Sequence, residues 1–258
     1  MPEIELTIGQ GIAEITLSRP AKRNAISEPM AAQLLAALES AEESGARALV
    51  LRGEGEAFCS GRDLSTADPA ADDAQAILSG WVNPLITRLA GLAIPTFAAV
   101  HGACLGVGLG LALACDVVYA ADDALIGSPF ARIGAVLDSG GHLLLSRPLG
   151  EHRALELIYT GRLLSGEEAA HWGLINRSVP RAELDQQARA LAAVVADGPT
   201  TALLESKRLM RRVVDEGLGL DEVLALEAAA QGRAAQTADY SEGIGAFQQK
   251  RRPRFTGR

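Results

Sequence analysis

The stretch "HGACLGVGLGLALACD", His101 to Asp116, carries glycine at 102, 106, 108 and 110 and no charge before its last residue. It follows directly on "IPTFAAV", a short apolar run of the kind buried in a parallel sheet. Glycine admits positive φ or lets a ligand approach the main chain, so a glycine cluster between a buried strand and a helix presents backbone N–H groups. The cluster therefore predicts a helix through Ala114, followed by a strand at "DVVYAA". Upstream, "GIAEITLSRP" sets Ala13, Ile15 and Leu17 on one face, the period of a half-buried strand. "SEPMAAQLLAALESAEESG" predicts a helix with Ser27 as N-cap, Pro29 in the first turn and Gly45 as its stop. "RALVLRG" is a buried strand, and another helix ends near Gly91. The order β-α-β-α-β predicts an α/β fold with a mostly parallel sheet and right-handed crossovers.

Beyond about Asp138 the strand signal shrinks to "LINRSV". Helices take over in "EHRALELIYTG", "SGEEAAHWG", "RAELDQQARALAAVVADG", "PTTALLESKRLMRRVVDEG" and a last pair reaching Lys250. Several of these carry apolar residues at three-and-four spacing, as expected of a helical layer that packs on the core or on a neighbouring subunit. The segment from Gly53 to about Ala74 is a polar loop long enough to suggest a functional role.

The 258 residues are 48% hydrophobic, enough for a sizeable core, and the formal net charge is −8 with a pI near 5.1. That balance excludes a general nucleic-acid binder, which needs a basic face to displace counterions. Lys250, Arg251, Arg252, Arg254 and Arg258 concentrate five positive charges in the last nine residues: a solvated tail, or one that meets a phosphate or an acidic neighbour. Cys59, Cys104 and Cys115 have neither disulfide nor zinc spacing, so no metal and a reducing compartment are expected. "MPEIELTIGQ" lacks signal-peptide pattern, and the uncharged run Ala103 to Cys115 falls short of the ~20 residues of a membrane span. A soluble cytoplasmic protein with no membrane or nucleic-acid partner is the expectation.

Two readings compete for the glycines. A dinucleotide-binding turn would need GxGxxG, but Gly106, Gly108 and Gly110 give GxGxG, with no acidic residue at the ribose-contact distance. Alternatively, the Arg62 N–H in "EAFCSGRDL" converges with N–H groups of the Gly106–Gly108 turn to make an oxyanion hole, which stabilises negative charge growing on a carbonyl oxygen. Tight helix–sheet packing through small residues is compatible with either.

In order and spacing, "RPAKRNAIS", "AFCSGRDL", "HGACLGVGLGLALACDVVYA", "LDSGGHLLLSRPLG", "SGEEAAHWGLINRSV" and "EGIGAFQQKRRPRFTGR" resemble the enoyl-CoA hydratase/isomerase (crotonase) superfamily across essentially the whole chain. The resemblance implies a crotonase-like ββα spiral core, assigned to residues 1–195, and a C-terminal helical trimerisation region over 196–258, in a homotrimer or a hexamer of paired trimers. It implies an acyl-CoA thioester as substrate and no separate cofactor. It assigns the oxyanion donors to the backbone N–H groups of Arg62 and Val107, and CoA contacts to Arg19, Lys22, Arg23, Ala25, Ser60 and Asp63, with Phe247 and Lys250 contributed by a neighbouring subunit. Where the family usually has glycine this chain has Val107, whose β-branched side chain is expected to resist positive φ and narrow the approach to the thioester.

The resemblance also implies two glutamates for hydration, and their positions hold Gly110 and Phe130, neither of which moves a proton. Asp138 stands where other members carry a working aspartate. One carboxylate suffices for a 1,3-proton shift beside an oxyanion hole, and burial against Phe130 and Leu137 would raise its pKa. An enoyl-CoA isomerase is therefore expected. The alternatives are a non-catalytic acyl-CoA-binding protein and a hydratase with a non-standard residue set. Asp138 also suits an N-cap for "DSGGHLLLS". His142, one turn on, is within reach of it and is read as structural, His101 is given no catalytic role, and Cys59 is read as a small buried hydrophobe.

Overall fold

A computed structural model describes residues 2–65, 68 and 70–258. The expected loop 53–74 is present around Cys59 and Arg62, and its residues 66, 67 and 69 lie outside the described residues. Six strands form one sheet: β1 (Ile4–Gly9), β2 (Ile12–Leu17), β3 (Ala48–Gly53), β4 (Thr96–Val100), β6 (Val117–Ala121) and β8 (Arg177–Val179), in that spatial order. A separate pair joins β5 (Ala103–Leu105) to β7 (Leu125–Gly127). From β2 onward all neighbours are parallel, as expected, but β1 and β2 make an antiparallel hairpin. Nothing in the sequence pattern had set β1 apart, because only Ile4 of that edge strand is buried.

Helix α1 (Glu28–Glu43) starts where expected, with the Ser27 hydroxyl accepting the Met30 N–H at 3.3 Å. It buries Met30, Leu34 and Leu38 in the main core together with Leu85 and Leu89 of α3 (Asn83–Gly91). Helix α2 (Ala74–Ile77) runs into α3 through one widened π turn at Leu78–Val82. The sheet's other face is covered by α8 (Leu184–Ala196), whose Ala192 and Ala196 pack on Ala48, Val50 and Phe97. Alanines on the helix let it lie close to the strands.

The chain from β5 to β8 adds α4 (Val107–Ala114), α5 (Gly141–Leu149), α6 (Glu151–Thr160) and α7 (Gly166–His171). The last has a full capping box between Ser165 and Glu168. The three remaining helices, α9 (Thr200–Glu216), α10 (Leu220–Ala234) and α11 (Ala238–Gln248), bury few side chains within the chain. Lys207 fastens α9 to the sheet: its Nζ donates to the Ile94 carbonyl at 2.6 Å and to the Asp116 carboxylate at 2.5 Å, while Asp116 also accepts the Thr96 N–H at 2.8 Å. The basic tail is partly neutralised within the chain, since Arg251 forms a two-pronged ion pair with Glu242 on α11. Among the described residues no helix is long and apolar enough to cross a membrane.

Candidate active site

Two loops lie side by side at the carboxyl ends of β3 and β4. Cys59 and Cys104 form a parallel bridge, in which the Cys59 N–H donates to the Ala103 carbonyl at 2.9 Å and the Leu105 N–H to the Cys59 carbonyl at 3.0 Å. At Gly61, where φ is 103°, a Cβ would stand 3.0 Å from the Leu105 carbonyl oxygen, so this approach requires glycine. Arg62 follows, and its N–H has no acceptor among the described residues. On the facing loop, Gly106 (φ 54°, ψ −116°) is the N-cap of α4 and Val107 is its first residue. The N–H of a first helical residue has no intrahelical acceptor and lies at the positive end of the helix dipole. A Cβ on Gly106 would come within 3.9 Å of the Gly61 Cα, so the residues preceding the two free N–H groups almost touch.

Val107 differs from the sequence expectation. The positive φ falls on Gly106, while Val107 is helical, 1% exposed and packed into the main core, so its side chain does not strain the turn. The ring of Phe130 lies against Gly106, with its Cε1 and Cζ 3.1 and 3.2 Å from a Cβ built there.

Asp138 is half-buried. It is not the helix N-cap that the sequence allowed: α5 begins at Gly141 with Gly140 as N-cap, and no side chain caps it. Two successive left-handed residues, Ser139 (φ 55°) and Gly140 (φ 77°), turn the chain so that only the Asp138 carbonyl serves the helix, accepting the Gly141 N–H at 2.8 Å. The carboxylate is left for other work. Its Oδ1 accepts the Ser139 hydroxyl at 2.7 Å, and its Oδ2 accepts no hydrogen bond among the described residues. Burial pushes this carboxyl above its ordinary value, opposed by the Ser139 hydroxyl and by the charge of Arg62. Arg62 is held in turn by Asp72, with one of its two contacts at 2.9 Å. His142 is exposed on α5.

The expected CoA-binding residues lie on adjoining turns stitched together through the backbone. The Ser60 N–H donates to the Arg23 carbonyl, Ile26 to Gly61, and Asp63 to Ile26, at 3.0, 2.8 and 2.9 Å. The Arg19 guanidinium is taken up inside this unit, by Glu3 at 2.9 Å, Asp63 at 2.8 Å and the Ala25 carbonyl at 2.9 Å. Ser65 and Arg19 hold the Asp63 carboxyl down at about 2. Both charges therefore order the turn. Lys22 and Arg23 are exposed, Ala25 is buried, and the Ser60 hydroxyl donates to the Lys22 carbonyl at 3.3 Å. Phe247 and Lys250 lie at and just beyond the end of α11, and Phe247 is 83% exposed.

Two residues of the site escaped the sequence reading. Asn24, fully buried and left-handed at φ 54°, donates to the Glu54 and Ala57 carbonyls at 2.9 and 2.7 Å and so ties the two CoA-side turns together. Asparagine in a polar turn is a signal for that conformation. Ser139 is the other, and nothing in a serine before two glycines announces a left-handed backbone. Cys59 is the inert hydrophobe expected, its thiol pushed up to about 12 by burial. His101 is buried with Nε2 2.9 Å from the Gly55 carbonyl.

The model of the enoyl-CoA hydratase/isomerase family matches residues 7–258. A probable enoyl-CoA hydratase of Rhodobacter capsulatus is 41% identical over 255 residues, covering 99% of this chain and 98% of that protein. The 1,2-epoxyphenylacetyl-CoA isomerase of Escherichia coli is 38% identical over 256 residues and 97% of each chain. The crystal structure of an enoyl-CoA hydratase from Bacillus anthracis superposes with a TM-score of 0.92 at 30% identity, over 99% of this chain and all of that one.

Proposed function

The chain belongs to the enoyl-CoA hydratase/isomerase family, and within it we propose that it is an enoyl-CoA isomerase that shifts a double bond with one carboxylate. The observation that carries this reading is the Asp138 carboxyl: half-buried, so that burial raises it above its ordinary value, and with Oδ2 accepting no hydrogen bond among the described residues. The thioester oxygen is received by the N–H groups of Arg62 and Val107, which stabilise the enolate formed when a proton leaves C2. Asp138 takes that proton and returns it at C4, so a 3-enoyl-CoA becomes a 2-enoyl-CoA. A carboxyl with a raised pKa suits a group that must act as base and then as acid. The CoA thioester is itself the substrate.

Addition of water needs a second group to move a proton at the reacting double bond, and the two positions that would supply carboxylates hold Gly110 and the Phe130 ring. The apolar residues left exposed on α9 to α11, among them Met210, Leu220, Leu224 and Phe247, support assembly into a homotrimer or a hexamer. Three buried, free cysteines suit a reducing, cytoplasmic compartment.

The wild-type protein, supplied with short, long and aromatic 3-enoyl-CoA thioesters, should form the conjugated 2-enoyl product. Conversion of 2-enoyl-CoA to 3-hydroxyacyl-CoA at a higher rate would overturn the isomerase reading. Tight acyl-CoA binding without turnover would replace it with a carrier.

A further inference from the structure

We propose that Ser139 is a positioning residue that decides which oxygen of Asp138 moves the proton: its hydroxyl holds Oδ1, and Oδ2 is the oxygen that faces the substrate. The proposal rests on the reading of Asp138 as proton carrier. Ser139 is 2% exposed and adopts φ 55°, a backbone that glycine would accept at lower cost. A buried serine kept in that conformation needs a reason in its side chain. Its Oγ lies 2.7 Å from Asp138 Oδ1 on the adjacent residue, so one hydroxyl fixes the rotation of the carboxylate. The Ser139 backbone is itself braced by α4, because the space that a Gly110 side chain would fill is taken by the Ser139 Cβ and carbonyl oxygen. The reacting group is thus aligned by its neighbour and by the packing of a helix that also supplies the Val107 N–H.

The charged group acting on Asp138 is the Arg62 guanidinium from the facing loop, itself paired with Asp72, and the titratable side chain on the adjoining first turn of α5, His142, is exposed. Of the groups that favour the ionised carboxylate, the Ser139 hydroxyl is the one in hydrogen-bond contact. Its removal leaves burial less opposed, and the carboxyl titrates at higher pH.

Ser139→Ala and Ser139→Gly, made in the full chain, test this together, since glycine relieves the backbone and both remove the hydroxyl. With 3-enoyl-CoA, both should lower kcat by about 10- to 100-fold with KM within about twofold, and move the acid limb of kcat/KM to higher pH. Carbon-13 titration of the Asp138 carboxyl, assigned with Asp138→Asn, should show the same upward move without any turnover. Folded variants with the wild-type kcat and an unmoved Asp138 titration overturn the proposal. If the wild type does not isomerise 3-enoyl-CoA, the isomerase reading and the catalytic half of this proposal fall together, and the carboxyl titration still decides whether Ser139 holds Asp138.

Discussion

Gly110 and Ser139 compete for one space: a Cβ on Gly110 would stand 2.6 Å from the Ser139 Cβ and 2.7 Å from its carbonyl oxygen, with Ile86 Cδ1 at 3.1 Å. The turn that orients Asp138 therefore occupies the room in which a side chain at position 110 would lie. Gly110→Ala should destabilise the protein by about 1–3 kcal/mol in denaturant unfolding, the usual cost of overpacking. Gly110→Glu combined with Phe130→Glu should produce no hydratase. Formation of 3-hydroxyacyl-CoA by a folded double variant would show that the two glutamates, and not the surrounding backbone, are all that hydration lacks.

Gly61, just before Arg62, permits the close approach to the Leu105–Gly106 turn, since its φ is 103° and the Leu105 carbonyl oxygen would lie 3.0 Å from an added Cβ. Gly61→Ala should lower kcat by on the order of 10²-fold, the usual effect of losing one oxyanion donor. Arg62→Ala keeps the N–H and should cost less than about tenfold. Equal losses in steady-state assays of the two variants would place the effect in the guanidinium and not in the backbone.

Asp138 should make the fold less stable at neutral pH than an amide in its place. Its carboxyl titrates above the ordinary 3.8 in the folded chain because burial disfavours its charge. Its favourable contribution is complete below that ordinary value and is lost as pH rises through the folded value. Asp138→Asn should therefore melt about 1–4 °C higher than wild type at pH 7, with the gain shrinking as pH falls toward 3.8. A lower melting temperature for the variant at pH 7 in a calorimetric series would show that the carboxylate is stabilised in the fold.

Much of this layout is legible in the sequence for a physical reason: strands β3, β4 and β6 are short apolar runs, and Ser27 and Gly45 punctuate α1 by local chemistry. The Gly106–Val107 turn and Asp138 are marked by residue type. Features that depend on contacts between distant segments are not marked. Arg19 reads as a surface charge until Glu3 and Asp63 close on it, and β1 gains its place by pairing with β2 and packing on α1. Asp138 reads equally as a cap because the left-handed φ at Ser139 and Gly140, which removes it from the helix, goes with a close approach of Ser139 to Gly110 that no local pattern marks. The residue type at Val107 does not tell that the positive φ of the turn falls one position earlier, on Gly106.

The C-terminal helices expose more apolar surface than a lone chain tolerates well. Phe247 is 83% exposed, Leu220 72% and Met210 65%, and Met210 shares a groove with Leu224 between α9 and α10. Light scattering at micromolar concentration should give a mass of three or six chains of 26.9 kDa. Met210→Glu with Leu224→Glu should reduce it to one, and a wild-type monomer would contradict the assembly.

Whether one carboxylate moves the proton is decided by Asp138→Asn, because the amide keeps the shape and the Ser139 contact but cannot act as base. Conversion of 3-enoyl-CoA to 2-enoyl-CoA should fall by about 10²–10⁴-fold, with acyl-CoA affinity, measured by calorimetry on the same sample, changed less than about threefold. An Asp138→Asn enzyme that isomerises at the wild-type rate would show that another group moves the proton.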